Sequence, residues 1–212
     1  MNSLQVSWSE TKPWDLSVLD ALGGPPHLVL AFWSAPDEMV QYPLKTLTEA
    51  YPHALILGCS TAGEIVGTQV LDGQLTATAI RFAHSKVQGR AVRTADFPGS
   101  LEAGKALAEM LPHENLVHVL VLSDGLKVNG SELVRGMTAG LPPTVTITGG
   151  LAADGDRFQQ TSVFWEGRAE SGTIVAVGLY GDKLKIGYGS MGGWDTFGPE
   201  RMITSSQGNV LF

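Results

Sequence analysis

At 212 residues the chain is long enough to bury roughly 70% of its unfolded surface, and it carries a net charge of −7 with only 17% charged residues. Without a dense Lys/Arg run, that balance argues against binding to nucleic acid or to an anionic membrane surface. The single cysteine, Cys59, excludes a disulfide framework and a thiolate metal cluster and fits a reducing compartment. No apolar run approaches the ~20 residues of a membrane helix, and no basic region followed by an apolar core opens the chain, so a cytoplasmic protein is expected.

Residues 1–24 read as an N-terminal segment in which Trp8, Trp14, Leu19 and Leu22 belong to a short docking helix. A domain then runs over residues 25–212. His27 to Trp33 is a continuous apolar run bounded by Pro25-Pro26 and Ser34, which predicts a central strand. Ser34-Ala35-Pro36-Asp37 has the form of a capping box for a helix with Val40, Leu44 and Leu47 on one face, stopped at Tyr51-Pro52. A strand from Ala54 to Leu57 delivers the small-residue loop Gly58-Cys59-Ser60-Thr61-Ala62-Gly63-Glu64. Leu75 to Phe82 and Val87 to Val92 alternate as an antiparallel hairpin. Ser100 caps a helix reaching Leu111.

From Leu116 the plan repeats. A strand ends at Ser123-Asp124-Gly125, and Asn129 caps a helix with Leu133 and Met137 on one face. The strand from Val145 to Thr148 empties into Gly149-Gly150-Leu151-Ala152-Ala153-Asp154-Gly155. Thr173 to Tyr180 and Leu184 to Gly189 read as a second hairpin turning at Gly181-Asp182. The shared order, at offsets of about 90 residues, points to two pseudo-repeated β-α-β-β-β units spanning about residues 27–111 and 116–190. The expected fold is α/β, a layered sandwich of mixed sheets with outer helices.

The phrases Gly58-Cys59-Ser60-Thr61-Ala62-Gly63-Glu64-Ile65, Leu122-Ser123-Asp124-Gly125, Asn129-Gly130, Gly149 to Gly155, Gly193-Trp194 and Gly198-Pro199 together resemble the FIST N domain, over roughly residues 25 to 211. The resemblance implies an intracellular sensory domain of signal transduction that binds small ligands such as amino acids; with the paired loops it leads to the expectation of a binding domain that performs no catalysis. It also implies a FIST C domain after Phe212 and an output partner such as a histidine kinase, a chemoreceptor or a cyclic-dinucleotide enzyme.

The candidate ligand-binding residues are Ser60, Thr61, Ala62, Gly63, Glu64, Asp124, Gly149, Gly150, Asp154 and Arg157. Hydroxyls and backbone amides on small-residue loops can cradle a carboxylate, and an Arg fork can clamp one bidentately. A tight turn explains the glycines as well, a helix-entry turn explains Asp124, and a surface ion pair explains Asp154 with Arg157. No metal ligand set is expected, because the five histidines are scattered. Two alternatives remain at this level. One, which the resemblance implies because some FIST proteins are haem-containing nitric oxide sensors, is a haem-binding nitric oxide sensor; no His lies in a matched motif, which leaves His84 or His118 to supply the axial ligand. The other is a hydrolase or acyl transferase using Ser60 or Cys59, although Gly58 to Gly63 misses the Gly-x-Ser-x-Gly spacing by one residue.

Overall fold

The longest apolar runs of the sequence become strands buried on both faces. The computed structural model describes residues 1–189, 198–199, 202–207 and 210–211. In chain order the strands are β1 (Asn2–Trp8), β2 (Leu28–Trp33), β3 (Leu55–Ser60), β4 (Glu64–Val66), β5 (Gln69–Leu71), β6 (Leu75–Arg81), β7 (Lys86–Arg93), β8 (Leu116–Ser123), β9 (Thr146–Leu151), β10 (Val163–Trp165), β11 (Arg168–Glu170), β12 (Thr173–Tyr180), β13 (Ser206–Gln207) and β14 (Val210–Leu211). Helix α1 (Asp37–Ala50) follows β2, α2 (Ser100–Met110) follows β7, and α3 (Gly130–Gly140) follows β8.

Ten of the strands form a six-stranded sheet, β1-β6-β2-β3-β10-β11, and a four-stranded sheet, β7-β12-β8-β9, while β4-β5 and β13-β14 are separate two-stranded pairs. Alternation along β2 explains its unbroken apolar sequence: Val29, Ala31 and Trp33 pack with Val40, Leu44 and Leu47 of α1, while Leu28, Leu30 and Phe32 join Leu122, Val175 and Val177 of the other sheet. Val119, Val121, Ile174 and Ala176 face Leu107 of α2 and Leu133 and Met137 of α3. The result is four layers, helix, sheet, sheet, helix pair, which is the expected α/β sandwich of mixed sheets with outer helices.

The two halves share one topology. In the first, β2 and β3 are parallel and β6 is antiparallel to β2; in the second, β8 and β9 are parallel and β12 is antiparallel to β8. Each half also has a leading strand, β1 beside β6 and β7 beside β12. The repeat therefore begins one strand earlier than the sequence spacing indicates, and residues 1–24 supply β1 together with a 3-10 helix, Leu16–Leu22, that buries Leu19 and Leu22.

Several local expectations are corrected. β6 and β7 are not a hairpin: β6 has both edges taken, by β1 and β2, so the chain leaves for the other sheet. For the same reason Leu184–Gly189 is no strand, because β12 already lies between β7 and β8. Gly58, Cys59 and Ser60 belong to β3, and Gly149, Gly150 and Leu151 to β9, so each loop is shorter than the sequence suggests. A methyl group on Gly58 would overlap the Ala31 carbonyl oxygen, and one on Gly149 that of Val121. These two glycines serve close approach between parallel strands. Ser34 does not cap α1, whose N-cap is Pro36 with no side-chain bond. Asn129 does cap α3, accepting the Glu132 amide at 3.1 Å. Gly193 and Trp194 lie outside the described residues; Gly198 and Pro199 are exposed.

Candidate functional site

At the C-terminal ends of β2 and β3 the chain turns away from the sheet and leaves a cleft of about 290 Å³ against the first turn of α1. Such a position at strand ends is where α/β sheets present groups to ligands. One wall is Trp33 to Glu38 with Ser60 and Thr61; the other is the loop after β9, through Asp154, Arg157, Gln159 and Gln160.

Each wall is fixed by buried or half-buried polar bonds. Trp33 is fully buried, and its indole N–H donates to Asp37 Oδ1 at 2.8 Å. The Ser162 hydroxyl donates to Asp37 Oδ2. Ser60 exchanges backbone bonds with Ser162 and Ala153, and its Oγ accepts the Ser162 amide at 3.0 Å, which leaves its hydroxyl proton to donate. The Asp154 carboxylate accepts the amides of Phe158, Gln159 and Gln160 at 3.1, 2.7 and 3.0 Å, closing the loop into a ring. The Gln160 and Gln159 amides, with help from Phe158 and the Arg157 charge, hold its pKa below the ordinary carboxylate range. The ring presents Arg157, exposed, at the cleft.

Glu64 lies buried beneath the cleft, not in it. Thr61 Oγ1 donates to it at 2.8 Å and Ser34 Oγ at 3.0 Å, while Ser34 accepts the Gly73 amide at 2.7 Å. Burial pushes the Glu64 carboxyl up, against the pull of these donors. Ala62 and Gly63 form the turn between Thr61 and Glu64, and the Gly63 amide reaches Thr61 Oγ1 at 3.4 Å.

Of the residues singled out from sequence, the cleft thus brings together Ser60, Thr61, Asp154 and Arg157. Asp124 is elsewhere and wholly buried, accepting the amides of Leu126, Lys127 and Gly172 and the Ser171 hydroxyl at 2.7–2.8 Å. Burial pushes its pKa up, but the four donors outweigh it and the carboxyl lies below its ordinary range. Gly149 and Gly150 line a separate cavity of about 230 Å³ beside α3. Sequence reading missed Trp33, Asp37, Glu38, Gln159 and Gln160. The acidic pair Asp37-Glu38, shortly past the end of β2 and opening α1, was the available signal, and it reads equally well as a helix start.

Cys59 points into the layer between the sheets, 3% exposed, and burial pushes its thiol up to about 12. Both ring nitrogens of His118 are engaged, by the hydroxyls of Thr146 at 2.7 Å and Thr148 at 2.8 Å. His84 lines a cavity of about 560 Å³ whose walls include Lys86, Glu114 and Asp182. Neither surrounding fits an axial haem ligand, which needs a free imidazole nitrogen over an apolar slot. Among the described residues no helix is long and apolar enough to cross a membrane.

The family model of the FIST N domain matches residues 27–212. The chain belongs to that family. FIST N domains are sensory domains of signal-transduction proteins and pair with signalling partners. The match begins after β1, the strand that completes the first structural unit. Comparison with curated proteins gives no match.

Proposed function

We propose that the cleft between α1 and the loop after β9 binds a small zwitterion or carboxylate, an amino acid in the simplest case, and that its occupancy is the signal this FIST N domain transmits. The observation that carries the reading is the opposition of charge across one small cleft. Arg157 stands on one wall, and Asp37 and Glu38 stand on the other at the open first turn of α1. The guanidinium and the Ser60 hydroxyl suit a carboxylate, and the acidic pair suits an ammonium group. At about 290 Å³ the cleft sits at the small end of ligand sites.

The cleft's two walls come from different halves of the chain, so a bound ligand bridges them and favours one relative placement. The reading is binding without catalysis: Cys59 is buried, and no histidine lines the cleft beside Ser60. The output partner on this reading is a signalling module of the kind FIST N domains pair with.

Thermal denaturation with a panel of amino acids and small dicarboxylates tests this. A ligand that binds the folded state raises the melting temperature in proportion to the logarithm of its concentration above Kd. Arg157→Ala and Glu38→Gln, both at exposed positions, are expected to reduce the shift without lowering the melting temperature of the free protein. A panel that gives no shift with the wild-type chain overturns the proposal.

A further inference from the structure

The two halves differ at one sheet edge. β6-β2-β3 in the first half corresponds to β12-β8-β9 in the second, with Gly58 opposite Ala31 matching Gly149 opposite Val121. Beyond β3 the edge is covered: β10 pairs with it antiparallel, Phe164 faces Gly58, and Phe164 is 1% exposed in the core under α1. Beyond β9 no strand pairs among the described residues. Where the counterpart of Phe164 would sit there is an apolar cavity of about 230 Å³, lined by Val121, Leu133, Val134, Ile147 and Gly149. β9, like the outer strand β1 of the other sheet, carries no charge and no proline to guard its edge, whereas the outer strands β7 and β11 carry Lys86, Arg90, Arg93, Arg168 and Glu170.

The first half contains a matching hairpin. β4 and β5 are three residues each with a two-residue connection, as are β10 and β11, and each hairpin stands between the corresponding strands of its half. The cross-strand pair Ile65 and Val70 takes the place of Phe164 and Ala169. Phe164 and Ala169 pack in the core, but Ile65 is 67% and Val70 74% exposed. On β4 the exposed Gln5 side chain donates to the Ile65 carbonyl at 2.8 Å and accepts the Gly67 amide at 3.4 Å, standing in for a ladder partner.

We infer that this is a self-association surface: the β4–β5 hairpin of one copy adds antiparallel to β9 of a second copy, with Ile65 opposite Gly149 and the apolar pair Ile65 and Val70 filling the cavity beside α3. The register of β3 with β10, carried over, sets Glu64 across from Gly150 and Val66 across from Thr148. Backbone bonds give the affinity, and the apolar pair fixes the register. Gln5 swings aside as the new ladder forms. Two copies that exchange hairpins make the contact twice, which enlarges an interface that a single three-residue ladder would leave small.

Sedimentation velocity of the 212-residue chain over a concentration series tests the inference. A reversible dimer is expected, with the dissociation constant raised about tenfold or more by Ile65→Asp and, separately, by Val134→Asp. Both positions are exposed, and unchanged circular dichroism verifies that the variants fold. Mixing Val66→Cys chains with Thr148→Cys chains should give a disulfide-linked pair that neither variant forms alone. Three results overturn the inference: a wild-type chain that stays monomeric, a dimer that both aspartates leave intact, or no crosslink in the mixture. A monomer whose β9 amides resist hydrogen exchange would show the edge covered by this same chain, and it too rejects self-association.

Discussion

Ser162 donates its hydroxyl hydrogen to Asp37 across 125 residues of sequence, and its backbone bonds to Ser60 on both sides. One residue of the second half thereby fastens the floor of the cleft to the first turn of α1. The cleft exists because the loop after β9 crosses to the other unit, not because each unit carries a complete site.

Ser162→Ala removes that tie. Ser162 is 1% exposed, so water cannot readily replace the lost donor, and Asp37 keeps only the Trp33 indole. A loss of about 1–3 kcal/mol in urea unfolding is expected, together with weaker ligand-induced stabilisation.

The strand glycines give a sharper contrast. Gly58→Ala and Gly149→Ala each place a methyl group on a neighbouring carbonyl oxygen, while at Gly150 nothing lies within 4 Å. The first two should destabilise by about 1–3 kcal/mol or more, and Gly150→Ala should stay within about 0.5 kcal/mol of the wild type. Denaturant midpoints of the three variants decide whether the glycines are there for packing.

Two buried carboxylates titrate in opposite senses. Burial raises Glu64 above its ordinary 4.5, so the folded state holds this proton more tightly than the unfolded state. Stability from this group is greatest at low pH and declines as pH rises from 4.5 through the raised value. Asp124 is lowered below 3.8, so its contribution is present above that value and is lost as pH falls through the lowered one. Urea midpoints measured from about pH 3 to 8 should show the neutral-side decline flattened in Glu64→Gln. The acid limb should flatten in Asp124→Asn, which also weakens the fold because four donors lose their charged acceptor.

With its thiol pushed up to about 12 and its side chain in the inter-sheet core, Cys59 should be inert to a thiol reagent such as dithionitrobenzoate in the folded protein. It should react at the rate of unfolding. Fast, stoichiometric labelling of native protein would instead show an accessible thiolate and reopen a nucleophilic role.

The sequence alone determined the kinds of element and much of their placement. The apolar runs at Leu28 and Leu116, the Asn129 cap, the stop at Tyr51-Pro52 and the repeated order are local signals, each written within a few neighbouring residues. The family motifs follow from the same stretches. What only the tertiary structure decided was pairing and convergence. Two β-patterned segments after β6 and β12 look like hairpin partners, yet both edges of β6 and of β12 are already hydrogen-bonded, which no local pattern records. Gly58 and Gly149 read as loop residues until the neighbouring carbonyls of Ala31 and Val121 show why a side chain cannot fit. Asp154 and Arg157 meet Ser60 and Thr61 only because the second unit's loop crosses to the first unit's strand ends, while Gly149 and Gly150 stay behind at α3. The chemistry of each residue was legible from its type, but the company it keeps depended on contacts between segments about 100 residues apart, set by which strand edges remain free.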